Sequence, residues 1–255
     1  MFVPERQQYI LNELARLGRV EVLDLAQNLG VSEDTVRRDL KALAARGYLQ
    51  KTHGGAVALD PGRMAWVNRA ELSGGAKASI GAVAAHLVEP GQSVLLDAGS
   101  TVFELARRLR VRPLTVLTNS LDIASIFASE PDVALSLTGG DWNVRSRYLT
   151  GASALETIGR RRTDWTFLGA CAVHPFAGVT SVSEGDAAVK RAMLAVADRT
   201  VVLADHSKLG QIAPYSVAPL HQMYALVTDG SSWTDQLGAA GVQVLVAQSS
   251  AVVPD

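Results

Sequence analysis

Only one cysteine, Cys171, occurs in 255 residues, which excludes an internal disulfide and a multi-cysteine zinc site and suits a reducing compartment. No run of about 18 apolar residues appears, and the charged start Met1 to Arg6 lacks the apolar stretch of a signal peptide, so a cytoplasmic protein without a membrane partner is expected. The five histidines lack metal-ligand spacing and none sits in an acid/base constellation. Neither a metal, a cofactor nor a catalytic residue is therefore expected. An excess of one charge is missing as well: 24 Lys and Arg against 25 Asp and Glu give −1, so any contact with nucleic acid must be local. Cys171 itself reads as a buried structural thiol, with only His174 nearby in sequence to make a thiolate.

Apolar material is plentiful, at 48% hydrophobic and 19% charged residues, and implies a packed core without disorder. The length admits one large domain, or a small one of about 60 residues joined to one of about 180.

Ile10, Leu14 and Leu17 follow helical spacing up to Gly18, and Leu25, Ala26 and Leu29 repeat the pattern from about Val22. Gly30 ends the second helix by permitting a left-handed backbone. Ser32 offers an N-cap to a third helix, with Glu33 and Asp34 favourable in its first turn and Thr35 at the capping-box position. Val36, Leu40 and Leu43 share one face of that helix, whereas Arg38 and Lys41 point oppositely, flanked by Thr35 and Arg37. From Thr35 to Val57 five basic residues stand against one acid, Asp39, a local +4. A tight turn followed by a cationic helix suits the major groove of double-stranded DNA, with Arg38 the leading base reader. Tyr48 to Thr52 and Ala56 to Leu59 read as two strands about Gly54-Gly55, a wing whose Lys51 and His53 reach phosphates. A three-helix interaction module with a solvated basic face is the alternative.

Against that alternative, Arg6 to Ala56 resembles the DNA-binding domain of the DeoR family of bacterial regulators. Arg6, Ile10, Val20-Glu21-Val22, Leu25-Ala26, Val31-Ser32, Thr35 to Leu40, Leu43, Gly47 and His53 to Ala56 fit its signature in order. The resemblance implies a winged helix-turn-helix over 1–57 whose third helix enters the groove, with Ser32, Thr35, Arg37, Arg38, Lys41, Lys51 and His53 at the DNA.

Residues 58–75 read as a linker, because Asp60-Pro61-Gly62 breaks the wing strand and no periodicity follows. From Ala76 the pattern alternates. A helical face of Ile80, Val83, Ala84 and Leu87 closes at Pro90-Gly91, and seven apolar runs follow: Val94 to Leu96, Leu114 to Leu117, Val133 to Leu137, Trp165 to Leu168, Val201 to Ala204, Tyr224 to Val227 and Val242 to Val246. A mainly parallel α/β domain over 76–255 is expected, with ligands beyond the strands' carboxyl ends.

Those ends carry small and polar residues. Asp97-Ala98-Gly99-Ser100-Thr101 precedes helical spacing and presents free N–H groups and two hydroxyls to an anion, although an ordinary N-cap explains it too. Thr118-Asn119-Ser120, Gly139-Gly140, Gly169 and Asp205 to Lys208 occupy further ends, where Asn and Asp can bond sugar hydroxyls and Lys208 can neutralise a phosphate. Each has a bland reading as well: a turn at Gly139-Gly140, a helix cap at Asn119, an Asp205 to Lys208 pair.

Lys77 to Asp229 resembles the C-terminal domain of the same family, which is similar in fold to ribose-5-phosphate isomerase. The resemblance implies a sugar-phosphate effector, no catalysis, and roles for Asp97, Gly99, Ser100, Thr101, Thr118, Asn119, Gly139, Gly140, Gly169, Asp186, Lys190, Asp205 and Lys208. The chain departs from the pattern before Lys190, where Gly185-Asp186 replaces an acidic pair and leaves Asp186 or Glu184 to serve. A repressor released or engaged by a phosphorylated sugar, acting as a homo-oligomer on repeated half-sites, is the expectation. An isomerase using Asp205, Glu184 or Lys208 and a protein adaptor are the other classes considered.

Overall fold

The apolar spacing around Ile10 and Leu14 becomes helix α1 (Val3–Leu17) in the computed structural model, which describes residues 2–58, 66, 68 and 72–248. Two units are formed, residues 1–73 and 74–255.

In the first unit α1 is followed by β1 (Arg19–Glu21), α2 (Val22–Leu29), α3 (Glu33–Ala45), β2 (Leu49–Lys51) and β3 (Gly55–Ala58). Gly30 ends α2 at φ 63°, a left-handed backbone that costs a side-chain-bearing residue about 1–2 kcal/mol. Ser32 caps α3 as expected, its Oγ accepting the Thr35 N–H at 3.3 Å. Ile10, Leu25, Val36, Leu40, Leu43 and Tyr48 close the core between the helices and the sheet. The wing has three strands rather than two. β1 pairs antiparallel with β3, Val20 opposite Ala56, and the sheet order is β1-β3-β2. Three residues running straight into a helix are too short to show a strand's alternation, so only the long-range pairing reveals β1.

The second unit begins with α4 (Gly74–Ala85), two residues earlier than the sequence suggests. That helix also stops before Pro90-Gly91, because its last turn loosens into i→i+3 bonds from Leu87 to Ala84 and from Val88 to Ala85. Most of the expected linker, residues 59–65, 67 and 69–71, lies outside the described residues. Of its remainder, Leu72 packs on the core of the first unit.

All seven apolar runs are strands of one sheet: β4 (Ser93–Leu96), β5 (Leu114–Thr118), β6 (Val133–Leu137), β9 (Thr163–Gly169), β12 (Ala197–Leu203), β14 (Ala225–Thr228) and β15 (Gln243–Val246). Every pairing in it is parallel, in the order β15-β14-β12-β9-β4-β5-β6. Between the strands run α5 (Ser100–Ala106), α6 (Leu121–Phe127), α7 (Ala152–Gly159), α8 (Glu184–Ala195) and α9 (Thr234–Ala239). Ile80, Leu105, Phe127 and Phe167 fill one side of the sheet, Leu95, Leu168, Val189 and Met193 the other. Two further pieces show no signal in the apolar pattern: a hairpin of β7 (Asp141–Asn143) and β8 (Tyr148–Thr150), and a small antiparallel sheet of β10 (Ala172–His174), β11 (Gly178–Ser181) and β13 (Tyr215–Ala218). Among the described residues no helix is long and apolar enough to cross a membrane.

Candidate functional site

Helix α3 leaves Thr35 half-buried and Ser32, Arg37, Arg38 and Lys41 exposed, with Lys51 and His53 exposed on the wing. Ser32 holds the cap, its Oγ 3.0 Å from the Thr35 hydroxyl. Arg37 pairs with Glu33 at 2.9 Å one turn back. Among the described residues Arg38 and Lys41 have no ion-pair partner, which leaves them free for an anion or a base edge. Asp39, the one acid of the basic stretch, is not on that face. It is buried, accepting from Arg6 Nε at 2.5 Å and from Gln7 Nε2 at 3.2 Å. Asp39 therefore takes no charge from Arg38 and Lys41, and Arg6 is tied across 33 residues to the helix that carries them. Asp39 betrays this role in sequence: it lies three residues after Val36 and four before Leu43, on the apolar face.

In the second unit the chain runs β4-β5-β6 toward one edge of the sheet and then β9-β12-β14-β15 toward the other, so it reverses between β4 and β9. A ligand crevice lies outside the carboxyl ends of such a pair. There the Asp97 carboxylate accepts the Gly169 N–H at 3.0 Å and the Lys190 ammonium, while Lys190 Nζ is 3.3 Å from Asp186 Oδ1. Asp186 Oδ2 accepts from the Ser181 hydroxyl at 2.6 Å. Lys190 is 3% exposed and Asp97 0%, and Asp97 Oδ1 has no hydrogen-bond partner. A buried carboxylate oxygen without a donor costs free energy unless something supplies one. Burial, with the Asp186 charge adding to it, pushes the Asp97 carboxyl up to about 6 against the pull of Lys190 and Gly169. Burial acts to lower Lys190, but the Asp186 and Asp97 carboxylates outweigh it and raise the ammonium above its ordinary value. Lys190 is thus fully committed to two carboxylates and is not an available counter-ion for a phosphate.

Ser100 and Thr101 open α5 beside Asp97, and Asn119 bridges two loops. The Asn119 Oδ1 accepts the Ala98 N–H at 2.9 Å and its amide donates to the Leu149 carbonyl, so it orders the site rather than capping α6. Ser120 is that cap. Thr118 turns its hydroxyl to the Leu96 carbonyl, a β4–β5 tie. Gly139 and Gly140 follow β6. At Gly140 (φ 105°) a Cβ would stand 2.2 Å from the Thr150 carbonyl, so glycine permits the β7–β8 hairpin to fold against this edge. Gly140→Ala is expected to lower stability by about 1–3 kcal/mol in a denaturant titration, through that clash and the positive φ.

A second charged group lies two strands away, about 10 Å at ordinary strand spacing. Asp205, buried past the end of β12, accepts from the Ser207 N–H at 3.0 Å and from the Ser207 hydroxyl, and Lys208 donates to that hydroxyl at 3.1 Å. The bland alternative of a direct Asp205 to Lys208 pair is thus replaced by a link through Ser207. Burial acts to raise Asp205, but the Lys208 and Lys77 charges and the Ser207 hydroxyl hold it below the ordinary value. Lys77, buried on α4, is the member the sequence reading missed as a site residue. A lysine on the apolar side of a helix is its only trace.

His206 donates its backbone N–H to Asp229 at 2.7 Å and sets Nδ1 2.6 Å from the same carboxylate, which raises its pKa against the opposing effect of burial. A raised histidine binds its proton more tightly when folded. The stabilisation is complete below the unfolded value of 6.5 and is lost as pH rises through the folded value. The melting temperature difference between the parent and Asp229→Asn is therefore expected to be greatest below pH 6.5 and to shrink as pH rises above it.

Cys171, expected to be buried, is half-buried. It stands just past the carboxyl end of β9, where the sheet gives way to the crevice, with Sγ 3.9 Å from Ser181 Oγ. Among the described residues no cluster of His, Cys, Asp and Glu is arranged to hold a metal ion.

Comparison with known proteins assigns both units. The profile of the DeoR-like helix-turn-helix domain matches residues 6–61, and that of the DeoR C terminal sensor domain matches residues 73–230. The chain is 32% identical to the HTH-type transcriptional repressor GlcR of Bacillus subtilis (strain 168), over 97% of this chain and 98% of that protein. It is 31% identical to a putative aga operon transcriptional repressor of Escherichia coli O157:H7, over 95% and 93%. Ribose 5-phosphate isomerase A from Methanocaldococcus jannaschii aligns over 52% of this chain and 53% of its own, at 19% identity and a TM-score of 0.39.

Proposed function

The chain belongs to the DeoR family of transcriptional regulators, and from that premise we propose that it is a cytoplasmic repressor of a carbohydrate operon whose DNA binding is controlled by a phosphorylated sugar. One observation carries the effector reading. Asp97 Oδ1 is buried at the carboxyl end of β4 without a hydrogen-bond donor, which a sugar hydroxyl supplies, while Lys208 stands past the end of β12, about 10 Å away at ordinary strand spacing, where an anion meets a cation. The phosphate lies toward Lys208 and the hydroxyls and N–H groups of Ser100 and Thr101, with Lys77 near Asp205. A sugar hydroxyl donates to the unpaired Asp97 Oδ1. Asp97, Asp186 and Lys190 hold each other in place, and Asn119, Gly169, Gly99, Thr118 and the Gly139-Gly140 turn shape the backbone around them.

A panel of sugar phosphates and their unphosphorylated parents, scored by melting temperature, tests this. One phosphorylated member is expected to stabilise by about 2.7 kcal/mol at a hundred times its dissociation constant, and its parent sugar is not. The double variant Ser100→Ala, Thr101→Ala loses that shift and keeps its affinity for DNA. An equal shift in variant and parent refutes the phosphate assignment.

On the DNA side, Arg38 reads a base edge while Lys41, Lys51, His53 and Arg37 meet phosphates, with Thr35 and Ser32 at the helix start. Arg38→Ala is expected to weaken operator binding by about 1–3 kcal/mol, measured by fluorescence anisotropy at fixed salt, with the ligand-induced melting shift unchanged. Unaltered operator affinity removes Arg38 from that role. One reader contacts too few bases for gene-level specificity, so the active species is a homo-oligomer on repeated half-sites.

A further inference from the structure

The small antiparallel sheet touches the candidate effector site through Ser181, which donates to Asp186, and its outer surface is unusual. Residues 165–183 and 209–228 contain no Asp, Glu, Lys or Arg, in a chain that is 19% charged. These stretches supply β10, β11, β13 and the loop before β13. Buried strands need no charge, but the exposed parts of these stretches lack it too. Phe176, at the tip of the β10–β11 hairpin, is 94% exposed, Ile212 is 62% exposed, and Pro214 and Tyr215 are exposed beside it.

The face is ordered and continuous. Gly210 donates to the Val173 carbonyl at 2.8 Å and Ala213 to the Thr180 hydroxyl at 2.8 Å, which lays the Ile212 loop along β10 and β11. Tyr215 pairs with Ser181 at the start of β13. Around the hairpin His174 packs 5.7 Å from Phe176 and 5.8 Å from Trp233, ring to ring. At the border Arg191 holds the Ser216 carbonyl at 2.6 Å and pairs with Glu184 at 2.5 Å.

From this we infer that the hairpin face of β10, β11 and β13, centred on Phe176 and Ile212, is the surface through which two copies of this chain associate. The absence of charge selects the occupant. A partner bearing ions on the contacting surface would lose their hydration against a face that returns no counter-ion, a cost of several kcal/mol per ion. A second copy presented by a two-fold axis brings the same ion-free, aromatic and aliphatic surface and places the Arg191–Glu184 border in a polar rim. The inference rests on the homo-oligomer reading above and assigns its surface.

Sedimentation equilibrium of the full-length protein tests it, with Phe176→Glu and Ile212→Glu against Val144→Glu, a control at an exposed valine on the β7–β8 hairpin. Each of the first two is expected to raise the dissociation constant between copies by about 100-fold, as a buried unpaired ion does at an interface, and Val144→Glu is expected to leave it unchanged. Two substitutions at exposed positions on separate loops guard against one of them disturbing the fold. A parent that stays monomeric overturns the oligomer reading itself. A parent that associates while Phe176→Glu and Ile212→Glu associate equally well overturns only the surface.

Discussion

Replacing Lys190 with methionine is expected to destabilise the 74–255 unit by about 3–5 kcal/mol, because it leaves Asp97 and Asp186 without their shared counter-ion in a buried site. Methionine keeps the volume, so a cavity does not account for the loss. The pH dependence identifies the cause. Asp97 already holds its proton up to about pH 6 in the parent, and without the ammonium it holds it higher still. A carboxyl whose folded value exceeds its unfolded value loses stability as pH rises between the two. The deficit of Lys190→Met is therefore smallest below pH 6 and widens above it. Urea titrations at several pH values measure this. Adding Asp97→Asn to Lys190→Met should recover part of the loss, since the pair is coupled. A deficit independent of pH would show that packing, not charge, is what Lys190 supplies.

Asp39→Ala carries the second large effect, on the other unit. It strands the Arg6 guanidinium, which is largely buried and gives Asp39 its Nε at 2.5 Å, and it frees the first turn of α1 from α3. Loss of a charged hydrogen bond of this kind costs about 2–3 kcal/mol. A three-helix unit of this size has little stability in reserve, so operator affinity is expected to fall with it. Hydrogen exchange separates the two units: protection of the Leu40 and Leu43 amides drops by about 30-fold to 150-fold, the equivalent of that free energy, and the amides of β4 and β9 keep theirs. Unchanged protection in α3 would mean that Arg6 and Asp39 interact without stabilising the reader. Arg38→Ala offers the contrast, since Arg38 has no ion-pair partner among the described residues and its loss should weaken DNA binding without touching exchange.

The elements of the reader were legible because their signals are local. Helical spacing at Val36, Leu40 and Leu43, the cap at Ser32 and the turn at Gly30 each occupy a few residues, and the structure repeats them with boundaries shifted by a residue or two. The seven strands of the large sheet were legible for the same reason, since strands covered on both faces are apolar throughout. What failed to show was short or bonded only across distance: β1, the β7–β8 hairpin and the β10–β11–β13 sheet.

The candidate site was half legible. Sequence named most of the residues at the strand ends but grouped them as one set of ligand contacts. The tertiary structure divides them into two charged groups, adds Lys77, and ties Lys190 to Asp97 across 93 residues. It also buries Asp39, the one acid of the basic stretch, against Arg6. By itself, then, the sequence determined the helices and strands, the cationic face of α3 and the family to which both units belong, because spacing and capping act within one or two turns of chain. Only the tertiary structure decided the order of the strands, the reversal between β4 and β9, and which buried charges meet. Those depend on how distant segments close on one another, and a lysine and a carboxylate in sequence carry no mark of which partner that closure will bring within reach.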